Sequence, residues 1–207
     1  MSLLRIVACM TTVVLSIRTS NAYECPSYED IVQTSLEGYR ASELDGGSDS
    51  IWYMVATNEP TLPPICTCGI NNITVSDDEL TYEYTNTDIC QGLKEPFQIH
   101  IGGEINGEFP GNMKENAIIH NHQLKNLDPN MVFHVERDGN KDLDVVYTYA
   151  CLGHGLFSFN VLAKTSTRTT QEIESMIAEV DNMIGHGILK IEKVRIVNQT
   201  SYETCEV

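Results

Sequence analysis

Apolar and polar residues alternate with period two through much of the chain, the pattern of strands that bury one face and wet the other. Segments of this kind are 51–57, 70–75, 80–85, 97–101, 117–123, 131–136, 145–151 and 156–164. Gly, Asp, Asn and Pro fill the gaps, as in Gly102-Gly103, Phe109-Pro110-Gly111 and Asp138-Gly139-Asn140. Eight successive strands with no helix between them predict an all-β fold, an antiparallel sandwich or an up-and-down barrel. No repeat or low-complexity linker interrupts them, so one domain is expected.

The hairpin around Asp77-Asp78 can be read in detail. Pairing Ser76 with Glu79 places Ile73 and Val75 on one face with Leu80, Tyr82 and Tyr84, and leaves Asn72, Thr74, Thr81 and Glu83 on the other. In that register Cys66 falls one place short of Cys90, and a bond between them needs a bulge.

A single segment has helical period: Ile173, Met176, Ile177, Val180, Met183 and Ile184 share one stripe. Thr169 and Glu172 have capping-box spacing before it, and Gly185 is placed to end it. The stripe is expected to lie on the outside of the sheet, over the 156–162 segment, which is apolar on both faces. Residues 188–197 read as a last extended piece.

Residues 1–22 stand apart from this pattern. Arg5 precedes a short apolar run, 6–17, and Ser20-Asn21-Ala22 supplies the small residues of a cleavage site. A signal peptide over 1–22 is expected, with a single domain over 23–207 that is secreted and extracellular. A run of twelve residues is too short to span a bilayer, and no integral membrane segment is expected. The chain carries 29 acidic and 13 basic side chains, a formal charge of −16, which argues against nucleic acid and anionic membrane surfaces as partners.

Beyond Cys9 six cysteines remain, namely Cys25, Cys66, Cys68, Cys90, Cys151 and Cys205. An even number in an exported chain implies three disulfides, in any of 15 pairings. Cys66-Thr67-Cys68 lacks the two-residue gap of a zinc site. Asn72-Ile73-Thr74 and Asn198-Gln199-Thr200 are acceptor sequences for N-glycans at Asn72 and Asn198. His120 and His122 share a strand face, but His100, His134, His154 and His186 complete no ligand spacing with them, and no metal or cofactor is assigned. No catalytic motif occurs in the chain.

Several stretches resemble the lipocalin family: Cys25-Pro26, Trp52-Tyr53 opening the first strand, Val145-Val146-Tyr147-Thr148-Tyr149-Ala150-Cys151, and Val161-Leu162-Ala163-Lys164-Thr165 running into the helix. Within the family the chain is most similar to the apolipoprotein D branch, along nearly its whole length after residue 22. It departs from the family pattern in Ser50 where a Gly usually stands, in the reduced middle motif Asp142-Leu143, and in Lys164 where an Arg is usual. The resemblance implies an eight-stranded up-and-down barrel with one helix outside, and a Lys164 ammonium over the Trp52 ring at the closed end. It suggests disulfides Cys25–Cys151, Cys68–Cys205 and Cys66–Cys90, with Cys66 and Cys68 exchangeable between the last two. The implied function is transport of a small hydrophobic ligand such as a lipid, sterol, retinoid or pigment. Ile73, Val75, Leu80, Tyr82 and Tyr84 are the lumen candidates. Two alternatives are an enzyme on the same barrel, like violaxanthin de-epoxidase, and a secreted inhibitor that binds through its loops. The first is disfavoured because only Cys25 precedes the barrel after residue 22, where those enzymes carry a Cys-rich segment.

Overall fold

The computed structural model describes residues 25–45, 51–58, 66–90, 92, 94–119, 122–153, 156–189, 191 and 194–197. The expected signal peptide, Asn198, Cys205, His120 and His154 lie outside the described residues, as do the side chains of Cys68 and His122.

Eight antiparallel strands close on themselves. They are β1 (Ile51–Thr57), β2 (Cys66–Val75), β3 (Thr81–Cys90), β4 (Phe97–Ile105), β5 (Asn112–Ile119), β6 (His122–Arg137), β7 (Leu143–Gly153) and β8 (Leu156–Ala163). Each pairs with the next in sequence, and β1 joins both β8 and β2, so no barrel strand is left with an unpaired edge. A two-residue strand, β9 (Arg195–Ile196), pairs with the end of β1 that β2 does not cover.

Most strands run longer than the sequence pattern, and at three places the difference has a definite physical reason. The β2–β3 register is two residues longer than expected, with Val75 opposite Tyr82 and Ile73 opposite Tyr84. Asp-Asp offers no glycine for a two-residue primed turn. The chain makes a four-residue loop instead, in which Asp78 accepts from Ser76 Oγ (2.6 Å) and the Leu80 amide (3.1 Å) and Glu79 takes a left-handed φ of 55°. A shift of two preserves the faces, so Asn72, Thr74, Thr81 and Glu83 are all exposed. A bulge between Thr67 and Ile70 then brings Cys66 directly opposite Cys90.

Gly102-Gly103 is not a break but part of β4. A Cβ on Gly103 would stand 1.7 Å from the Lys114 carbonyl oxygen, so glycine here reflects close approach of β5 rather than a turn. Segment 117–123 is likewise not one strand, because the chain reverses between Ile119 and His122 and divides it between β5 and β6.

Two apolar layers sit on either side of the strand wall. Inside the barrel are Trp52, Met54, Ile73, Tyr82, Met113, Val132, Val146 and Leu162. Outside are Phe133, Val145, Tyr147, Tyr149, Phe159 and Val161, covered by α1 (Tyr28–Ile31) and α2 (Thr170–Ile184). Thr169 caps α2 reciprocally with Glu172, and Gly185, at φ 110°, ends it. Of the helical stripe, Ile173, Met176 and Val180 are buried and Ile177 and Ile184 pack partly, but Met183 is exposed. Among the described residues of the 188–197 segment, Arg195–Ile196 alone join the sheet, a shorter span than expected. Two disulfides tie these parts together, Cys25–Cys151 and Cys66–Cys90.

Candidate functional site

The N-terminal segment crosses one end of the barrel, where the β2–β3 and β6–β7 turns gather. Arg40 pairs with Glu79, Arg137 with Glu43 (2.6 and 3.1 Å), and the Asp45 carboxylate accepts from the Val75 amide at 2.8 Å. Beneath this cover Trp52 is fully buried, and its indole N–H donates to the Leu44 carbonyl at 3.0 Å. Lys164 Nζ lies 4.0 Å from the centre of the Trp52 ring. Burial lowers the Lys164 pKa from its usual value.

Above Trp52 the lumen holds a cavity of about 40 Å³. One water needs roughly 10 to 15 Å³, so the space suits a few waters. Its apolar wall includes Leu44, Met54, Ile73, Met113, Val132 and Leu162, and its polar wall Asn71, Tyr82, Tyr84, Asn130, Thr148 and Asn160. Three of the five expected lumen residues, Ile73, Tyr82 and Tyr84, therefore line it. Val75 is half-buried and packs with the inner cluster without lining the cavity. Leu80 is 53% exposed, because the longer loop takes it out of β3.

The polar half of the lumen was not anticipated from the sequence. Asn160 joins one network, accepting from Thr57 Oγ1 at 2.6 Å and donating to Ser158 Oγ at 3.0 Å and Thr148 Oγ1 at 3.3 Å. In a second, Glu115 Oε1 accepts from the Tyr82 hydroxyl at 3.0 Å and from Asn130 Nδ2 at 2.9 Å. Burial and the Glu115 charge push the Tyr82 pKa far up, which keeps its proton on the donor. For buried polar residues on β2 and β3 the alternation does carry a signal. Asn86 and Asp88 continue the alternation of Tyr82 and Tyr84 along β3, and Asn71 stands two places before Ile73 on β2. All three are polar, and polarity alone assigns such residues to the wet face.

Asp88 is completely buried, accepts from Asn86 Nδ2, and has a pKa pushed up to about 7 by burial, against the opposing effects of Asn86 and Arg195. A carboxyl whose folded pKa is raised binds its proton more tightly when folded, so its contribution to stability declines as pH rises from about 4 to 7. Asp88→Asn is therefore expected to flatten that part of the stability profile and to gain stability relative to the parent at pH 8. Denaturant midpoints of both proteins at pH 5 and pH 8 test this, and an equal pH response in the two would refute it.

The exposed Asn72 sits on the outer face of β2. His100 contacts Thr85 Oγ1, His134 contacts Ser35 Oγ and His186 pairs with Asp181, on separate parts of the molecule. Among the described residues no group of three or more His, Cys, Asp or Glu side chains could hold a metal ion. Among them too, no helix is long and apolar enough to cross a membrane.

No protein-family model and no curated protein matches the chain. Solved structures do. Apocrustacyanin C2 superposes with TM-score 0.58 at 13% identity, covering 90% of this chain and 98% of its own. Lobster apocrustacyanin A1 gives 0.56 at 14% identity, over 87% and 93%. Insecticyanin from the tobacco hornworm Manduca sexta gives 0.54 at 14% identity, over 84% and 86%. These neighbours are lipocalins, and the likeness shows the fold, a closed eight-stranded antiparallel barrel with one helix outside.

Proposed function

We propose that the protein is a member of the lipocalin family, of the apolipoprotein D-like kind, that is exported from the cell and carries a small hydrophobic molecule in its barrel. It acts by binding, not by catalysis. The observation that carries this reading is the cavity inside a closed barrel, lined by Met54, Ile73, Met113, Val132 and Leu162. The Trp52–Lys164 contact and the Cys25–Cys151 bond, both anticipated from the motif resemblance, support the family. Residues 1–22 serve as the export signal, Asn72 and Asn198 as glycan acceptors, and Cys68 and Cys205 as the third disulfide. Thiol titration of unreduced, unfolded mature protein is expected to find no free thiol; two per chain would remove that third bond.

The cavity is small for an extended ligand, so loading requires side chains to give way. Met54 and Met113 are suited to this, being unbranched and flexible. Because apolar burial contributes about 25 cal/mol per Å², a ligand burying a few hundred Å² reaches micromolar affinity after the cost of association. Trp52 is the sole tryptophan and reports from below the cavity. Fluorescence titration against fatty alcohols, fatty acids, sterols and carotenoids is expected to give saturable one-to-one binding by at least one of these classes. Tyr84→Asp, which places an unpaired charge at the cavity, should weaken that binding more than Glu83→Ala on the wet face. The limited room favours one other reading, a binder that acts through its loops. Absence of saturable binding by folded protein would replace the carrier by that reading.

A further inference from the structure

The two side chains bonded to Glu115 give the lumen a directional chemistry. Glu115 is 5% exposed and does not itself line the cavity, whereas Tyr82 and Asn130 do. Its placement depends on two features of the sheet. Tyr82 and Glu115 lie on β3 and β5, opposite the same residue of the intervening strand, Gly103. With no side chain there, the Tyr82 hydroxyl reaches across β4 to the carboxylate; a Cβ on Gly103 would stand 3.0 Å from Tyr82 Cε1. On the other side the β5–β6 register slips both before and after Glu115, between Met113 and Glu115 and between Glu115 and Ala117. Bulges of this kind re-aim side chains.

The carboxylate sets the orientation of both neighbours. Asn130 turns its nitrogen to Glu115, so its Oδ1 is left as an acceptor. Asn130 is 8% exposed, and its Oδ1 is buried with no hydrogen-bond partner. Tyr82 likewise spends its proton on Glu115 and keeps only lone pairs for a ligand. The wall also holds one unpartnered donor: Asn71 is 2% exposed and its Nδ2 is buried without a partner. Among the described residues that line the cavity none is Lys, Arg or His.

We propose that the ligand is an uncharged alcohol, an apolar molecule whose hydroxyl donates to Asn130 Oδ1 in the wall of the lumen. This rests on the carrier reading and narrows it. A carboxylate can only accept, meets no cation among the described lining residues, and faces oxygens backed by Glu115, so fatty acids are rejected. An ammonium group needs a carboxylate in contact, and Glu115 stands behind Tyr82 and Asn130. An ether or hydrocarbon fits the apolar wall but leaves Asn130 Oδ1 unpartnered, a cost that burial makes large.

Four probes with one alkyl chain separate these cases: 1-octanol, 1-methoxyoctane, octanoate and octylamine, titrated by Trp52 fluorescence at pH 7.5. The alcohol is expected to bind about tenfold more tightly than the ether or the carboxylate, a difference of about 1.4 kcal/mol. In Asn130→Leu, folded by circular dichroism, alcohol and ether should bind equally, with the ether's affinity changed less than about threefold. Equal binding of alcohol and ether by the unsubstituted protein overturns the proposal while leaving the carrier reading intact, as does tighter binding of octanoate or octylamine. This comparison needs no variant to fold. Failure of all four probes to bind overturns both.

Discussion

Replacing Trp52 by alanine is expected to lower the stability of the barrel by about 3 to 5 kcal/mol, the range for removing a large buried aromatic. Three separate contributions are lost together. The ring is completely buried in the inner cluster, so its removal leaves a cavity at the closed end. Its indole N–H donates to the Leu44 carbonyl, which loses its partner within the cover formed by the N-terminal segment. The Lys164 ammonium, 4.0 Å from the ring centre, loses a cation–π contact in a partly desolvated place, where such contacts are worth about 1 to 2 kcal/mol. Urea unfolding followed by far-ultraviolet circular dichroism measures the loss without needing the tryptophan signal. A destabilisation below about 1 kcal/mol would mean that Trp52 does not hold the closed end.

The barrel was legible where burial decides the pattern. β1 is found at the expected residues, and α2 with its Thr169–Glu172 box and Gly185 stop lies where the 3.6-residue period put it. Patterning failed where tertiary approach replaced local chemistry. Gly102-Gly103 has the composition of a turn, yet Gly103 is set by the Lys114 carbonyl and by the bond that crosses over it. The reversal after Ile119 carries neither glycine nor proline, so nothing in its composition marks a turn. Met183 belongs to the helical stripe but lies near the end of α2, where it is exposed.

The lumen was legible only on its apolar side. Ile73, Tyr82 and Tyr84 satisfy the alternation rule and line the cavity. Asn71, Asn130 and Asn160 line the same space and Glu115 is buried behind Asn130, but a polar residue on a strand is ordinarily assigned to the wet face. Only cross-strand geometry reveals the partners that bury these groups: Tyr82 and Glu115 are 33 positions apart and Thr57 and Asn160 are 103 apart. Such pairings have no local signature. They carry the chemistry that separates a general apolar pocket from one that discriminates among headgroups.

The second large effect is expected from the bond between Cys25 and Cys151. It closes a loop with a sequence separation of 126, against 24 for Cys66–Cys90. Restricting the unfolded chain over such a loop stabilises the fold by about 5 kcal/mol in the chain-entropy estimate, and over the shorter one by about 3. The longer bond also holds the start of the segment that carries α1 and the closed-end cover. Tyr28 and Ile31 pack on the outer cluster, and further along Leu44 accepts from Trp52. Cys25→Ala with Cys151→Ala should therefore cost more stability than Cys66→Ala with Cys90→Ala. It should also raise hydrogen exchange across 28–44 before the barrel strands are affected, since that segment makes few of the sheet's bonds. Denaturant midpoints of the two double variants, with exchange read by mass spectrometry, test both consequences. If the Cys66–Cys90 pair proves the costlier to remove, loop closure is not what that bond contributes. If 28–44 exchanges no faster without Cys25–Cys151, the cover is held by its own contacts, Arg40 with Glu79 and Glu43 with Arg137, and the disulfide acts on the unfolded chain alone.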